Sequence, residues 1–443
     1  MTIATARTGL PIVADKPDID YELMLDCVHC GLCTSACPTY VETGLEADSP
    51  RGRIYLMRGV IDGRLPLDEV VKGHLDLCLN CRACETACPS GVQYGKLIEP
   101  FRLHMVRTGQ QKQHLSWLQR QMLDRIFPYA IRDRLALAPA RWMQALKLDR
   151  FLEKTGLSSL LPRSVREMQG MLPRLKHHYG RLPERLPAEG KRRARVGLFL
   201  GCVADAIYPQ TNLATARVLQ KNGCEVWVPR MQGCCGALHY HSGREEPAAA
   251  FAEENLRAFG FQSDEWKSLD AIVVNAAGCG AMLKDYGHLT HRSPHGALGL
   301  EFARKVRDIS EFLVALGPVK PTHPLPLRAT YHDACHLCHA QQIRKQPRQL
   351  LEMIPELELV PLNESELCCG AAGSYNLTQP EMAERLGERK ARNIIETGAR
   401  AVFTANVGCL LQVARHLKQH DPEFWVAHPI DALWAAYGAE ASK

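Results

Sequence analysis

Long apolar runs are absent from this chain. No stretch approaches the roughly 18 to 20 uncharged apolar residues that cross a bilayer as a helix. The nearest, Ala271 to Leu283, is broken by Asn275, Gly278 and Gly280, so any membrane contact should be peripheral. The first twenty residues carry Arg7 and Lys16 but no apolar segment of the kind an export signal needs. Residues 1–20 read as a flexible leader, and the chain as a cytoplasmic one. Aromatic residues make up 7 % of the sequence, and no recognisable module interleaves them with basic residues, which argues against nucleic acid as a partner. The net charge of +6 is spread out. Its one dense run, Lys191-Arg192-Arg193-Ala-Arg195, reads as a solvated linker. No G-x-G-x-x-G follows a strand, so the fingerprint that holds a dinucleotide is missing.

Cysteine, by contrast, is plentiful. There are 18 in a chain of 443 residues, long enough for about three domains whose cores need no disulfides. Clustered cysteines in a long chain without an export signal point to metal ligation in a reducing compartment. Eight lie between Cys27 and Cys88 in two copies of one pattern, C-x2-C-x2-C-x3-C-P: Cys27, Cys30, Cys33, Cys37 with Pro38, and Cys78, Cys81, Cys84, Cys88 with Pro89. Three thiolates so close together wrap one cubane only if the chain turns tightly, which suits Gly31 and the small residues between them. In two-cluster ferredoxins the fourth cysteine ligates the other cluster. By that rule Cys27, Cys30, Cys33 and Cys88 hold one 4Fe-4S centre, and Cys78, Cys81, Cys84 and Cys37 the second. Pro38 and Pro89 should each stop a short helix carrying the fourth ligand. Zinc knuckles are the alternative, but they have no use for the third regularly spaced cysteine or for the C-P ending.

Between the motifs, Ser49 to Met57 contains Arg51 and Arg53, which either neutralise cluster charge or are plain surface charge. A helix over Lys96 to Arg107 should close an all-helical, ferredoxin-like domain spanning 21–110. Residues 111–190 form an amphipathic helical linker region, with Leu115, Leu118, Met122 and Ile126 at helical spacing and prolines at 128, 139, 162, 173, 183 and 187. Its apolar face reads first as packing between domains and second as a docking surface for a partner or anionic lipid.

The remainder is an internal repeat. In one copy Val196–Cys202, Glu225–Pro229, Gly233-Cys234-Cys235-Gly236, Ala271–Asn275, Gly278-Cys279 and Arg307–Leu313 follow in order. In the other come Ala329–Cys335, Leu357–Pro361, Leu367-Cys368-Cys369-Gly370, Ala401–Asn406, Gly408-Cys409 and His428–Leu433. Short apolar runs that end near cysteines, with helical stretches such as Pro380 to Glu396 between them, predict parallel sheets with helices on their faces. The expected architecture is therefore α+β and multidomain: the ferredoxin-like helical domain, then two cysteine-rich α/β repeats at 191–320 and 321–443.

The repeat cysteines should fall at the carboxyl ends of strands, where open α/β sheets place ligands. Cys202, Cys234, Cys235 and Cys279 then form one candidate metal site, and Cys335, Cys368, Cys369 and Cys409 another. Adjacent cysteines strain an ordinary zinc site and suit a larger or irregular iron-sulfur cluster, or a thiol-disulfide centre; buried thiols acting as small hydrophobes are the plain alternative. Cys224, at a strand start, reads as a core thiol. Cys338, unmatched in the first copy, is a candidate fifth ligand. His239, His241, His332, His336 and His339 lie near these cysteines and read as hydrogen-bonding groups, since no metal-ligand spacing connects them.

Paired C-x2-C-x2-C-x3-C-P motifs followed by two repeats with Cys-Cys-Gly resemble the iron-sulfur subunits of flavin-linked dehydrogenases and the heterodisulfide reductase group. The strings Cys27-Val-His-Cys30-Gly-Leu-Cys33, Pro50-Arg-Gly-Arg-Ile-Tyr-Leu56, Glu85-Thr-Ala-Cys88-Pro-Ser-Gly91, Gly233-Cys-Cys-Gly-Ala237, Leu367-Cys-Cys-Gly-Ala371 and Thr404-Ala-Asn-Val-Gly-Cys409 resemble the glycolate oxidase iron-sulfur subunit family from about residue 20 onward. The resemblance implies a non-flavin electron-transfer subunit of a glycolate dehydrogenase. Flavoprotein partners carrying FAD would oxidise glycolate to glyoxylate, and this chain would pass electrons toward a quinone-type acceptor without binding the substrate, with any membrane contact peripheral at the cytoplasmic face of the inner membrane. Equivalent subunits serve lactate or glycerol-3-phosphate dehydrogenases, and a thiol-disulfide enzyme of the heterodisulfide reductase kind is a further alternative. The repeats of those reductases end in C-x2-C, whereas Ala276 and Asn406 replace the first cysteine here. A conventional 4Fe-4S centre, a zinc ion or an empty thiol site stays open in each repeat.

Overall fold

A computed structural model of the chain describes residues 19–110, 117–146, 148, 151, 155, 175 and 181–438, apart from 262, 292 and 374. Residues 1–18 of the leader, residues 111–116 with the expected helical Leu115, and most of the second half of the linker region lie outside the described residues. Two compact units result. One comprises the described residues up to 110 together with Tyr240–Arg244, and the other comprises the rest, so both cysteine-rich repeats belong to one unit.

The first unit is helical: α1 (Pro38–Thr43), α2 (Pro50–Ile61), α3 (Glu69–Asp76), α4 (Ala83–Ala87) and α5 (Gly95–Arg107). Ser49 caps α2 by accepting from the Gly52 amide, and Asp68 caps α3 by accepting from Val70 and Val71, each satisfying helix-start donors that have no intrahelical partner. Met24, Met57, Leu75, Leu97, Ile98 and Phe101 form the core. The tight turn expected of each cysteine motif is present, because His29 and Gly31 in the first, and Asn80 and Arg82 in the second, all adopt positive φ. Gly31 holds a φ of 87°, which side chains resist, and a Cβ there would lie 2.6 Å from Arg51 Nη1. The proline expectation holds for Pro89, which follows α4, and fails for Pro38. Cys37 is the N-cap of α1 and Pro38 its first residue, a position where the missing N–H costs nothing.

The second unit opens with short helices, among them α6 (Ala130–Ala136) and α7 (Ala138–Ala145). Met122 and Ile126 are half-buried beside buried Leu123. In α7 no residue is buried, so the expected burial of an apolar face is absent there. Two sheets follow. The first has the order β1-β3-β2-β4-β5, with β1 (Arg185–Leu186), β2 (Ala194–Phe199), β3 (Cys224–Trp227), β4 (Ala271–Val274) and β5 (Val306–Asp308); only β1 is antiparallel. The second, all parallel, has the order β7-β6-β8-β9, with β6 (Leu327–Tyr331), β7 (Leu357–Val360), β8 (Ala401–Phe403) and β9 (Trp425–Ala427). Registers match: Val196 pairs with Val226 and Ala271, as Ala329 pairs with Leu359 and Ala401.

Helices between strands include α8 (Pro209–Lys221), α9 (Glu245–Ala258), α10 (Ala277–Lys284), α11 (Ile309–Leu316), α12 (Pro380–Glu396), α13 (Val407–Leu417) and α14 (Pro429–Ala436). One core of Val196, Val226, Val273, Tyr331 and Phe403 runs through both repeats. The last helix of each repeat starts with a capping box, Asp308 with Glu311 and His428 with Asp431. The repeat read from the sequence is thus a repeat of fold.

Candidate metal centres

In the first unit, Cys37 and three cysteines of the second motif, Cys78, Cys81 and Cys84, line one cavity together with Arg53 and Tyr94. The last thiol of one motif therefore meets the first three of the other, and all four are buried. Tyr94 donates to Cys78 Sγ at 3.7 Å and the Asn80 amide to the same sulfur at 3.4 Å. Arg53 is 1 % exposed. It donates to the His74 carbonyl at 2.6 Å, to Thr39 Oγ1 at 3.0 Å and to Cys37 Sγ at 3.9 Å, and lies 3.7 Å from Asp48. Arg102 donates to the Cys78 carbonyl at 2.7 Å. Burial acts to raise the Cys78 thiol, but the guanidiniums of Arg53 and Arg102 outweigh it and hold the group below its ordinary value. Cys84 goes up, through burial and the neighbouring thiols. Such a pocket is built to hold negative charge.

The other predicted set is more open. Cys27, Cys33 and Cys88 sit half-buried against the same core and Cys30 is exposed. Arg51 donates to the His29 carbonyl at 2.9 Å and pairs with Glu46 at 2.6 Å. Of the two arginines left undecided by sequence, Arg53 lies among buried thiols and Arg51 braces the exposed motif. Tyr94, Arg102 and Glu99 stand in no motif that marks them as site residues. Buried Glu99 lies 3.2 Å from Arg82 and 3.3 Å from His241. Desolvation pushes its carboxyl up, and Arg82 and His241 more than reverse that.

In the second unit every cysteine of the two candidate sets lies past the carboxyl end of a strand. Cys202 Sγ donates to Cys234 Sγ at 3.4 Å, Cys234 and Cys235 are hydrogen-bonded, and Cys235 reaches Cys279. The second set repeats the chain of contacts, Cys335 to Cys368 to Cys369 to Cys409. Both Cys-Cys pairs are followed by a glycine at positive φ, Gly236 at 88° and Gly370 at 86°. There a Cβ would meet the carbonyl oxygens of Ala248 and Ala383 at 3.0 and 2.8 Å. The third residue of Cys-Cys-Gly is therefore set by backbone packing against α9 and α12.

The two sets are not identical. His332 follows β6 and joins the second, with a ring nitrogen and the sulfurs of Cys369 and Cys409 all within 4.8 Å of one another. Cys369 is held well below the ordinary thiol range by hydrogen bonds from Cys368 and Cys409 and by His332, against the effect of burial. Lys390, buried on α12, donates to the Glu364 carbonyl. Burial pushes its ammonium down to about 8 while the thiols of Cys369 and Cys368 act to raise it. Asn255 takes the matching place on α9 and donates to the Cys234 carbonyl at 2.8 Å. Asn406 donates to Cys409 Sγ at 3.7 Å and accepts from the Gly278 amide at 3.1 Å, so it ties one repeat's cysteine loop to the other's.

Cys224 begins β3 and is fully buried, as expected of a core thiol. Cys338 does not join the second set and groups instead with His339 and Glu366. The short π-helix His336–Ala340 carries it away from Cys335. Of the other histidines, His239 packs on Phe251 and His339 meets the Glu366 carbonyl at 3.3 Å.

Soft thiolate donors in these numbers fit iron-sulfur clusters, and an all-helical double-motif unit followed by paired α/β thiol repeats defines an iron-sulfur protein. Comparison with known families agrees. The 4Fe-4S dicluster domain matches residues 23–92, the cysteine-rich domain matches 196–284 and 329–414, and the linker region of the glycolate oxidase iron-sulfur subunit matches 114–172. The chain is 37 % identical to the probable glycolate oxidase iron-sulfur subunit of Bacillus subtilis (strain 168), over 96 % of this chain and 97 % of that one. It is 36 % identical to the glycolate oxidase iron-sulfur subunit of Escherichia coli (strain K12), over 88 % and 89 %. Similarity at 30 % extends to a fumarate reductase (CoM/CoB) subunit of Methanothermobacter marburgensis, over 93 % of this chain and 72 % of that one. The chain belongs to the glycolate oxidase iron-sulfur subunit family.

Proposed function

We propose that this chain is the electron-transfer subunit of a glycolate dehydrogenase complex. It would take electrons from flavoprotein partners that carry FAD and oxidise glycolate to glyoxylate, and deliver them toward a quinone-type acceptor. The observation that carries the reading is the meeting of Cys37 with Cys78, Cys81 and Cys84 in one buried cavity, the interleaving that two 4Fe-4S centres require. On this reading Cys37, Cys78, Cys81 and Cys84 hold one centre, and Cys27, Cys30, Cys33 and Cys88 the other. Bound clusters supply one-electron carriers. The protein's part is to compensate their charge with Arg53 and Arg102, to hydrogen-bond Cys78 through Tyr94 and Asn80, and to leave the other set near the surface. Val28 and Leu32, inside the first motif, are exposed beside Cys30, an apolar rim suited to a redox partner.

The repeats would supply two further metal sites, at Cys202, Cys234, Cys235 and Cys279 and at Cys335, Cys368, Cys369 and Cys409, each filled by an iron-sulfur centre or zinc. Among the described residues no helix is long and apolar enough to cross a membrane. The exposed Trp117, Ile131, Leu135 and Trp142, near Arg120, Arg125 and Arg132, support a peripheral contact with the cytoplasmic face of the inner membrane. A second reading, thiol-disulfide chemistry at the repeats, is favoured by the likeness to the fumarate reductase (CoM/CoB) of Methanothermobacter marburgensis and disfavoured by Ala276 and Asn406.

The test is anaerobic iron, sulfide and zinc quantitation with low-temperature EPR of the reduced full chain. At least about eight iron and eight sulfide per chain, with interacting 4Fe-4S signals, is the expected result. Zinc in place of that iron, with no EPR signal, would overturn the reading.

A further inference from the structure

The cysteine that the heterodisulfide reductases carry three residues before the last one is missing from both repeats, but the loss is not treated alike. In the first repeat Ala276 takes the place, and Phe199 stands three residues before Cys202. In the second Asn406 takes it, and His332 stands three residues before Cys335. His332 is fully buried. Its Nδ1 lies 2.9 Å from the Ser365 carbonyl oxygen, a partner that only accepts, so Nδ1 carries a proton and the neutral ring presents its lone pair at Nε2. Apart from the Cys369 sulfur beside it, that Nε2 has no hydrogen-bond partner among the described residues, a costly state for a buried polar atom. A ring nitrogen of His332 and the Cys369 and Cys409 sulfurs stand within 4.8 Å of one another.

A carbonyl that fixes the tautomer from behind, with the far nitrogen aimed at thiols, is the usual support of a metal-ligating histidine. Tetrahedral ligands at metal–sulfur and metal–nitrogen bond lengths stand about 3.6 to 3.8 Å apart, so closing on an ion asks little more than about 1 Å of movement. We infer that His332 Nε2 is a metal ligand, making the second repeat's centre a mixed imidazole–thiolate site for zinc or iron. The first repeat's centre has only thiolates, because Phe199 offers no donor. The inference rests on reading the repeats as metal-binding. An imidazole in place of a thiolate also removes one negative charge from the centre, and in iron-sulfur proteins that raises the potential.

The experiment uses the full chain, purified anaerobically from cells grown on 15N-histidine. If the second site holds zinc, its X-ray absorption should show one imidazole among the ligands. If it holds iron, pulsed EPR should show a 15N coupling that the all-thiolate N-terminal centres cannot produce. His332→Ala should lose that metal, by up to a full equivalent of the second site's content. His332→Cys should keep it and lose the nitrogen signature, which guards against a variant that merely misfolds. Wild-type protein with no histidine nitrogen on any metal overturns the inference, as does His332→Ala with unchanged metal and spectrum, or a chain with no metal beyond the N-terminal clusters. The N-terminal 4Fe-4S signals are read in the same samples, so failure of the electron-transfer reading is seen separately.

Discussion

Arg53 shows what burial does to a charge. A guanidinium removed from water is tolerated only where negative groups face it, and here those are Asp48 and the thiols of Cys37 and Cys78. Replacing it by Met should lower the reduction potential of the neighbouring centre by on the order of 100 mV, the effect of one charge several ångströms away at an effective dielectric near 20. Arg53→Lys should shift it less. An EPR-monitored redox titration reads both, and an unchanged potential in Arg53→Met would remove the compensation argument. Cys37 makes the sharper test at this scale. Cys37→Ser should cost the centre built on Cys78, Cys81 and Cys84, about four irons per chain, and spare the one built on its own motif. Loss of the opposite signal would mean that the motifs are not interleaved.

Elements carry the next set of constraints. Gly370 turns the chain after Cys369 at a φ that side chains resist, with the Ala383 carbonyl at 2.8 Å from a would-be Cβ. Gly370→Ala should therefore destabilise the second unit by about 2 kcal/mol or more, seen as a lower denaturation midpoint. His428, at the start of α14, accepts from the Ile430 amide at 3.1 Å through Nδ1, a bond that only the neutral ring can make. Burial pushes its pKa down to about 4, below the unfolded value near 6.5. The unfolded state therefore binds the extra proton first, and stability falls as pH drops from about 6.5 toward 4. By pH 5 the loss is about 2 kcal/mol. His428→Asn, which still offers a capping oxygen, should flatten that slope in denaturant midpoints compared at pH 7 and pH 5. An equally steep slope in the variant would shift the cause elsewhere.

On the scale of the whole molecule, one surface concerns what lies outside it. Trp142 is 73 % and Ile131 69 % exposed, on helices where large apolar side chains are ordinarily covered. If that surface rests on a bilayer, the full chain should cosediment with anionic vesicles and not zwitterionic ones, less so at high salt. Ile131→Ser with Trp142→Ser should weaken binding by about a hundredfold or more, given about 1.5 to 3 kcal/mol for each of the two large side chains buried. Binding that ignores these changes would assign the surface to a protein partner.

Much of this was legible beforehand, for physical reasons. Thiol ligands must recur at spacings fixed by the size of what they hold, so the double motif and both repeat sets stand out in sequence, and parallel strands buried on both faces read as short apolar runs. His332 stands out in sequence only by its nearness to Cys335; its place beside Cys369 and Cys409 is not legible there, because those cysteines lie far along the chain and only the pairing of β6 with β8 brings them together. The role of Pro38 depended on which side of it the helix formed. Sequence alone determined the order of units, the repeat and the identity of the candidate ligands, since these follow from local spacing and periodicity. Tertiary structure decided which thiols share a pocket, that Arg53 is buried among them while Arg51 is not, that Cys338 turns away, and that one thiol site has a histidine and the other a phenylalanine. Each of those depends on contacts between segments far apart in the chain, which no local pattern encodes.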